Sequence, residues 1–245
     1  MMYVEVNNAR FWVEDVGDGP ALLFLHFGLG DHRVFDPELR ALADEFRCVA
    51  YDRRFFGRTE APEEPYSEVQ DAIALLDALG VERAALVGLS GGGKLAFDIA
   101  FAHPQRVWAV AHIAAPVSGI PWGDELEAAY AGADTPEQEM EADLKVWAPL
   151  GAEELYRELL LQARPSDAEA AKPPAVELEA LRTPTIVLTA KHDPPSLQNC
   201  GHEAARRIPG ARHVEIDSDH YLTLREPALV TRVLREFFAE TIAAR

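Results

Sequence analysis

The segment Leu86-Val87-Gly88-Leu89-Ser90-Gly91-Gly92 contains the most informative motif of the sequence. It places a serine at Gly-x-Ser-x-Gly spacing between the apolar run Ala84–Gly88 and a helical pattern over Gly93–Ala102. A tight strand-to-helix turn lifts the serine hydroxyl clear of a sheet, and the helix N-terminus aims backbone N–H groups at developing negative charge. We therefore expect Ser90 to be a nucleophile at a sheet edge.

Strand-like and helical patterns alternate on both sides of this stretch. The predicted strands are Tyr3–Val6, Arg10–Asp15, Ala21–Leu25, Cys48–Tyr51, Ala84–Gly88, Val107–Ala114, Thr185–Thr189 and His213–Ile216. The predicted helices are Asp36–Phe46, Ser67–Leu79, Gly93–Ala102, Cys200–Arg207 and Pro227–Ala243. The first two strands read as an antiparallel hairpin, and the alternation that follows is typical of a mainly parallel sheet with helices on both faces.

The alternation is interrupted between Pro116 and Glu179, where the sequence is acidic and helical without strand signals. We predict that residues 1–115 and 180–245 form the core and that residues 116–179 form a helical lid inserted into it. Ligands of open α/β sheets bind at the carboxyl edge of the strands, which is where such an insertion would lie.

Length and charge limit the possible functions. A chain of 245 residues fits one domain, and 23 basic against 41 acidic residues give a net charge of −18. That charge disfavours nucleic acids and anionic membrane surfaces as partners. The N-terminus lacks a signal-peptide pattern and no apolar run approaches a membrane span, so we expect a cytoplasmic location.

A serine hydroxyl is a weak nucleophile and needs a base that a third group orients. Of the eight histidines, His220 follows the last predicted strand and precedes the last predicted helix, where a loop can reach the sheet edge. Asp193 follows strand Thr185–Thr189 and is the predicted acid, whereas Asp217 and Asp219 are more suited to capping their own strand. The predicted catalytic order is Ser90, Asp193, His220.

This order and the Gly-x-Ser-x-Gly turn resemble the α/β-hydrolase superfamily, in particular its small lid-bearing esterases and lactonases. The resemblance implies an α/β-hydrolase fold: a mostly parallel eight-stranded sheet flanked by helices, with a helical cap insertion. Members typically carry His-Gly after the third strand and Asp-x-Arg-Gly-x-Gly-x-Ser after the fourth. This chain departs from both patterns, with Phe27 after His26 and Phe55 after Arg54.

The family pattern implies that the backbone N–H of Gly91 and one from the His26 loop hold the oxyanion. We assign the second donor to Gly28, with Phe27 as the alternative. Phe27 and Phe55 are expected to lie in neighbouring loops, where the two rings could stack on each other. They either fill the space between the loops or narrow the acyl pocket, and on both interpretations substitutions at the two positions should be coupled in their effect on stability. Trp122 or Trp147 of the predicted lid should shape the same pocket.

The predicted function is hydrolysis of a carboxylic ester or lactone through an acyl-enzyme. Alternatives on the same triad are a thioesterase, a lyase, a perhydrolase or a slow-turnover ligand-binding protein. No cofactor and no metal are predicted, since Gly88 to Leu95 departs from the phosphate-binding loop pattern at its last position and no His-Glu-x-x-His or Cys-x-x-Cys occurs. The expected partner is a small-molecule substrate, and the sequence leaves monomer and homo-oligomer open.

Overall fold

Eight strands form one sheet in the computed structural model, which describes residues 1–121, 123–147 and 162–244. The strands are β1 (Met2–Val6), β2 (Ala9–Val16), β3 (Ala21–Leu25), β4 (Arg47–Tyr51), β5 (Ala84–Leu89), β6 (Val107–Ile113), β7 (Thr185–Ala190) and β8 (Arg212–Ile216). Their order across the sheet is β1-β2-β4-β3-β5-β6-β7-β8. The β1–β2 and β2–β4 pairs are antiparallel, and the other pairs are parallel.

Helices cover both faces of the sheet. They are α1 (Asp36–Leu42), α2 (Glu68–Ala78), α3 (Gly91–Ala102), α4 (Asp124–Ala129), α5 (Pro136–Trp147), α6 (Pro195–Arg207), α7 (Leu222–Arg225) and α8 (Pro227–Ala243). One apolar cluster joins the sheet to α1 and α8, and a second joins it to α2, α3 and α6. Strands β3, β5, β6 and β7 are buried at every residue, because both of their faces are covered.

The predicted fold class is confirmed, and all eight predicted strands are present with ends shifted by at most two residues. The helix ends are less well predicted. Helix α1 ends at Leu42 instead of Phe46, and α6 begins at Pro195, before the predicted start at Cys200. Proline fits the first turn of a helix because its missing N–H has no intrahelical partner there. The short helix α7 was not predicted.

The region between β6 and β7 contains α4 and α5 in its described part. Its returning segment pairs with the loop after β4, through bridges between Phe56 and Ala163 and between Tyr66 and Ala170. This segment therefore lies against the loop that carries Phe55. Within the described residues, no helix has the length and apolar character needed to cross a bilayer.

Candidate active site

The turn at Ser90 is held in a backbone conformation that few non-glycine residues adopt. Ser90 has φ 53° and ψ −121° and directly precedes α3. Its N–H donates to the carbonyl of Ile113 at 2.9 Å, and its own carbonyl accepts from Gly93 N–H at 2.8 Å. Strained residues of this kind persist only where their surroundings fix them, and they cluster at functional sites. The sheet and the first turn of α3 thus fix the position of Ser90.

Glycines around Ser90 allow the helix to approach the sheet closely. A Cβ on Gly92 would lie 1.9 Å from the carbonyl oxygen of Leu25 in β3, and a Cβ on Gly88 would lie 2.2 Å from the carbonyl oxygen of Gly92. Both contacts involve backbone atoms, which cannot move without separating α3 from the sheet. The glycines of the motif are therefore required by packing as well as by the turn.

Replacing Gly92 by Ala should destabilise the protein by at least about 2 kcal/mol, because overpacking against backbone forces the helix and strand apart. The matched control is Gly91→Ala in the same helical turn, where the nearest atoms to a Cβ lie 3.6 and 3.8 Å away. Urea denaturation of both variants measures the difference. Equal stability of the two would contradict the close approach at Gly92.

His220 and Asp193 form a buried pair. His220 Nδ1 lies 2.8 Å from Asp193 Oδ1, and both side chains are almost fully buried. Since a carboxylate only accepts, Nδ1 carries the proton and Nε2 is left as the basic nitrogen. Asp193 follows β7, and His220 lies between β8 and α7, so the carboxyl ends of two neighbouring strands bring the pair together.

The rival carboxylates bind other partners. Asp217 accepts from the exposed His192 ring at 2.8 Å. Asp219 accepts from the Arg225 guanidinium at 3.0 Å and from the backbone N–H of Tyr221 at 3.1 Å. Sequence proximity to His220 therefore does not translate into contact with its imidazole.

Ser90 and His220 line the same cavity, which has a volume of about 210 Å³ and mostly apolar walls. Four other residues predicted for the site line it too: Phe27, Gly28, Gly91 and Trp147. Phe55 is not among the residues that line it, and Trp122 lies outside the described residues. The remaining lining residues are Leu29, Lys94, Pro116, Leu126, Asp143, Ser196, Leu197, Cys200 and Tyr221.

The sequence analysis missed several of these pocket residues. Lys94 lies one helical turn after Ser90 on α3, and that spacing was a usable signal. Tyr221 directly follows His220 in the sequence, and this adjacency was a second usable signal. Asp143 and Cys200 carry no such signal, because α5 and α6 reach the cavity only through tertiary packing. Burial raises the pKa of the Cys200 thiol, which favours its neutral and less nucleophilic form.

The backbones of Gly28 and Gly91 adjoin beside Ser90. The backbone nitrogen of Gly28 lies 3.8 Å from the position that a Gly91 Cβ would occupy. Arg53 also lies here, with one guanidinium nitrogen 3.6 Å from the same position. The two proposed oxyanion donors, Gly28 N–H and Gly91 N–H, are thus on adjacent backbone segments at the cavity wall.

His26 links the loop after β3 to the loop after β4 through both of its ring nitrogens. Its Nδ1–H donates to the carbonyl of Phe27 at 2.8 Å, and its Nε2 accepts from the backbone N–H of Arg53 at 3.0 Å. Burial, assisted by the Arg53 guanidinium, lowers the pKa of His26 to about 3. A neutral ring with both nitrogens engaged fixes the loop after β3 to the loop after β4.

Phe27 and Phe55 contact different tyrosines. The ring centroids of Phe27 and Tyr221 are 5.2 Å apart, and those of Phe55 and Tyr66 are 5.6 Å apart. The possible stacking of Phe27 on Phe55 is therefore wrong for this structure. Phe55 has φ 65°, the conformation for which the family pattern uses glycine, and its backbone turns the ring toward Tyr66 instead of the cavity.

We expect Phe27→Gly and Phe55→Gly to act independently on stability, with an interaction free energy below about 0.5 kcal/mol, because the rings share no contact. Only Phe27→Gly should change the preference for acyl chain length, since only Phe27 lines the cavity. Urea denaturation of both single variants and the double variant, with ester hydrolysis in parallel, measures this. A coupling above about 1 kcal/mol would contradict it.

Three potential metal ligands lie together beside this site. Single ligand atoms of Asp31, His32 and Asp52 all lie within 4.8 Å of one another. Asp31 accepts from Arg33 Nε at 2.9 Å, and His32 Nδ1 lies 2.6 Å from Asp52 Oδ1. Since these bonds already engage the three side chains, the cluster is explained as support for the loops after β3 and β4.

Comparison with known proteins places this architecture in a family. The family model described as alpha/beta hydrolase fold matches residues 20–168. RutD of Caulobacter sp. (strain K31), to which a carbamate hydrolase function is ascribed, is 37% identical over 102 residues, 38% of this chain and 38% of that protein. The chain thus matches less than half of the length of its first curated relatives.

Two solved structures are similar over nearly the whole chain. An enol-lactonase from Burkholderia xenovorans LB400 has a TM-score of 0.77 and 25% identity, covering 97% of this chain and 99% of that one. A thermophilic esterase from Thermogutta terrifontis has a TM-score of 0.80 and 24% identity, covering 98% and 99%. Because the family model matches more than half of its length, the chain belongs to the alpha/beta hydrolase fold family.

Proposed function

We propose that the protein hydrolyses a small carboxylic ester or lactone with Ser90 as nucleophile, His220 as base and Asp193 as the group that orients the imidazole. The observation that carries this proposal is the buried contact of 2.8 Å between His220 Nδ1 and Asp193 Oδ1, because His220 lines the same cavity as Ser90. A nucleophile, a base and an orienting acid are the parts that nucleophilic acyl transfer requires.

The reaction proceeds in two halves. Ser90 Oγ attacks the substrate carbonyl while His220 Nε2 takes its proton, and the backbone N–H groups of Gly91 and Gly28 stabilise the oxyanion. The imidazolium then gives its proton to the leaving alcohol, which leaves an acyl-enzyme. In the second half, His220 activates a water that attacks this ester, and the acid is released as Ser90 regains its proton.

The cavity supports a small substrate. Its volume of about 210 Å³ lies below the ~300–1,000 Å³ common for small-molecule sites. Leu29, Leu126 and Leu197 supply apolar wall, and the Phe27 ring lies beside the proposed oxyanion donor. We infer a short acyl group or a compact lactone ring as the preferred substrate.

Other chemistries use the same parts, and the relatives illustrate them. An enol-lactonase has a similar structure, which favours the lactone form of the proposal. The similarity to RutD, which is described as a carbamate hydrolase, favours a carbamate as the second candidate substrate. Attack of Ser90 Oγ on a carbamate carbonyl would also produce an oxyanion. Thioester hydrolysis, perhydrolysis, a lyase reaction and slow-turnover binding remain alternatives within this framework.

A fluorophosphonate labelling experiment followed by a substrate panel tests the proposal. We expect covalent labelling at Ser90, located by peptide mass spectrometry, and hydrolysis of acetyl and butyryl esters in preference to octanoyl esters. The panel should contain matched esters, lactones, thioesters and carbamates, with burst-phase measurements to detect the acyl-enzyme. Absence of label at Ser90, or label without turnover of any panel member, would contradict the proposed activity.

A further inference from the structure

One residue of the inserted region contacts the proposed base directly. The indole of Trp147, the last residue of α5, is stacked on the imidazole of His220 with ring centroids 4.6 Å apart and planes inclined by 27°. We propose, on the basis of the function proposed above, that Trp147 is a positioning residue that holds the imidazole and stabilises its protonated form. The relevant protonation is the transfer of the Ser90 hydroxyl proton to His220 Nε2.

The physical basis is the charge distribution of the ring. An aromatic face carries partial negative charge, and indole attracts a cation more strongly than the other aromatic side chains do. The edge of the imidazole is held by Asp193 and one of its faces by Trp147. These two contacts restrain the ring in different directions, so that Nε2 keeps its orientation as the proton moves.

The indole is itself held by a chain of hydrogen bonds. Trp147 Nε1–H donates to the Tyr130 hydroxyl at 2.9 Å, and the Tyr130 hydroxyl donates to Asp143 Oδ1. At the other end, the backbone carbonyl of Trp147 accepts from the Tyr221 hydroxyl at 3.1 Å. The indole N–H thus donates to a hydroxyl that itself donates to a carboxylate, and this chain polarises the N–H bond. The indole ring becomes more electron-rich, which strengthens its attraction for an imidazolium.

This chain of hydrogen bonds connects α4 with α5 in the inserted region. Tyr130 directly follows α4, whereas Asp143 and Trp147 are one turn apart on α5. Burial raises the pKa of the Asp143 carboxyl, and the Tyr130 hydroxyl bonded to it opposes that rise. The orientation of the base therefore depends on α4 and α5 being folded against each other and against His220.

Several other titratable and charged groups contact His220 or line the same cavity. Asp193 contacts Nδ1, Asp219 is paired with Arg225, and the Tyr221 ring lies 5.4 Å from the imidazole. Lys94 also lines the cavity, where its ammonium is paired with Asp98 at 2.9 Å. Asp143 adds a carboxylate on the lid side. Substitution at Trp147 removes none of these groups from the protein. It removes the stacking contact together with the hydrogen bond from Nε1–H to Tyr130, and Tyr130→Phe removes that hydrogen bond alone.

The test is an NMR titration of the His220 ring in the substrate-free protein, with the signal assigned by its loss in His220→Asn. We expect Trp147→Leu to move the titration midpoint to lower pH by about half a unit to one unit, since it removes a cation–π contact. Trp147→Phe retains a weaker aromatic face and should give a smaller shift. The acid limb of the pH profile of kcat/KM should move in the same direction and order.

The control variant is Trp108→Phe, which alters a buried tryptophan packed against Phe238 in the core. It should lower stability without moving the His220 titration. Tyr130→Phe is the second test variant, because it keeps the indole while removing the hydroxyl that accepts Nε1–H, and it should shift the midpoint slightly to lower pH. It also keeps the proposal testable if Trp147→Leu does not fold.

An unchanged titration midpoint in Trp147→Leu or, if that variant does not fold, in Trp147→Phe and Tyr130→Phe would overturn the inference, even if activity falls. The NMR measurement needs no substrate, whereas the proposed hydrolysis is judged by fluorophosphonate labelling and turnover. If the protein did not hydrolyse any substrate of the panel, the titration midpoint of His220 would still shift in Trp147→Leu. The failure of one proposal is therefore distinguishable from the failure of the other.

Discussion

Replacing Ser90 by Ala is expected to lower kcat/KM for an ester substrate by at least about a thousandfold, with the fold unchanged. The substitution removes the only atom of the residue that can bond to the acyl group. It leaves the backbone bonds of the turn, from Ser90 N–H to Ile113 and from Gly93 N–H to Ser90, in place. Alanine tolerates positive φ no better than serine, so the strain at φ 53° is unchanged.

Ser196→Ala is the matched control for this result. Ser196 also lines the cavity but lies on α6, away from the turn between β5 and α3. We expect that variant to keep most of its activity and to remain labelled at Ser90. Steady-state kinetics and thermal melting of both variants provide the comparison. Residual activity of Ser90→Ala above about a thousandth of the wild-type value would point to another nucleophile.

The sheet and the turn were predictable because their causes are local. A continuous apolar run such as Ala21–Leu25 has the composition of a strand buried on both faces, and the structure buries all of its residues. The glycines around Ser90 are required because a Cβ at Gly88 or Gly92 would lie only about 2 Å from backbone oxygens. A requirement of this kind appears in the sequence directly, as glycine at a fixed spacing.

The pocket was less predictable because side-chain directions there depend on packing between distant segments. Phe55 was placed over the active-site edge from its position in the loop, yet its positive φ and its contact with Tyr66 direct it elsewhere. Trp147 was expected to shape the acyl pocket, and it lines the cavity, but its stacking on His220 required the fold of the inserted region to be known. No periodicity in the sequence encodes either contact.

Asp193→Asn is expected to lower kcat at least about a hundredfold at neutral pH, with little change in substrate binding. An amide can present its NH2 group to His220 Nδ1, and this would favour the tautomer that carries its proton on Nε2. A protonated Nε2 cannot accept the proton of Ser90. Geometry would be preserved, because Asn has nearly the same shape and Gln198 Nε2 still donates to the backbone carbonyl of residue 193 at 2.7 Å.

Asp217→Asn and Asp219→Asn are the controls, since both carboxylates are closer to His220 in sequence and bind other groups in space. Asp217 pairs with exposed His192, so its loss should leave kcat within a few-fold of wild type. Asp219 orders the backbone at Tyr221 and pairs with Arg225, so its amide variant should affect stability more than kcat. A severe loss of kcat in either control, combined with a mild one in Asp193→Asn, would transfer the orienting role to that residue. The comparison therefore tests whether the acid is the carboxylate that contacts His220 in the folded protein or one that is only close to His220 in sequence.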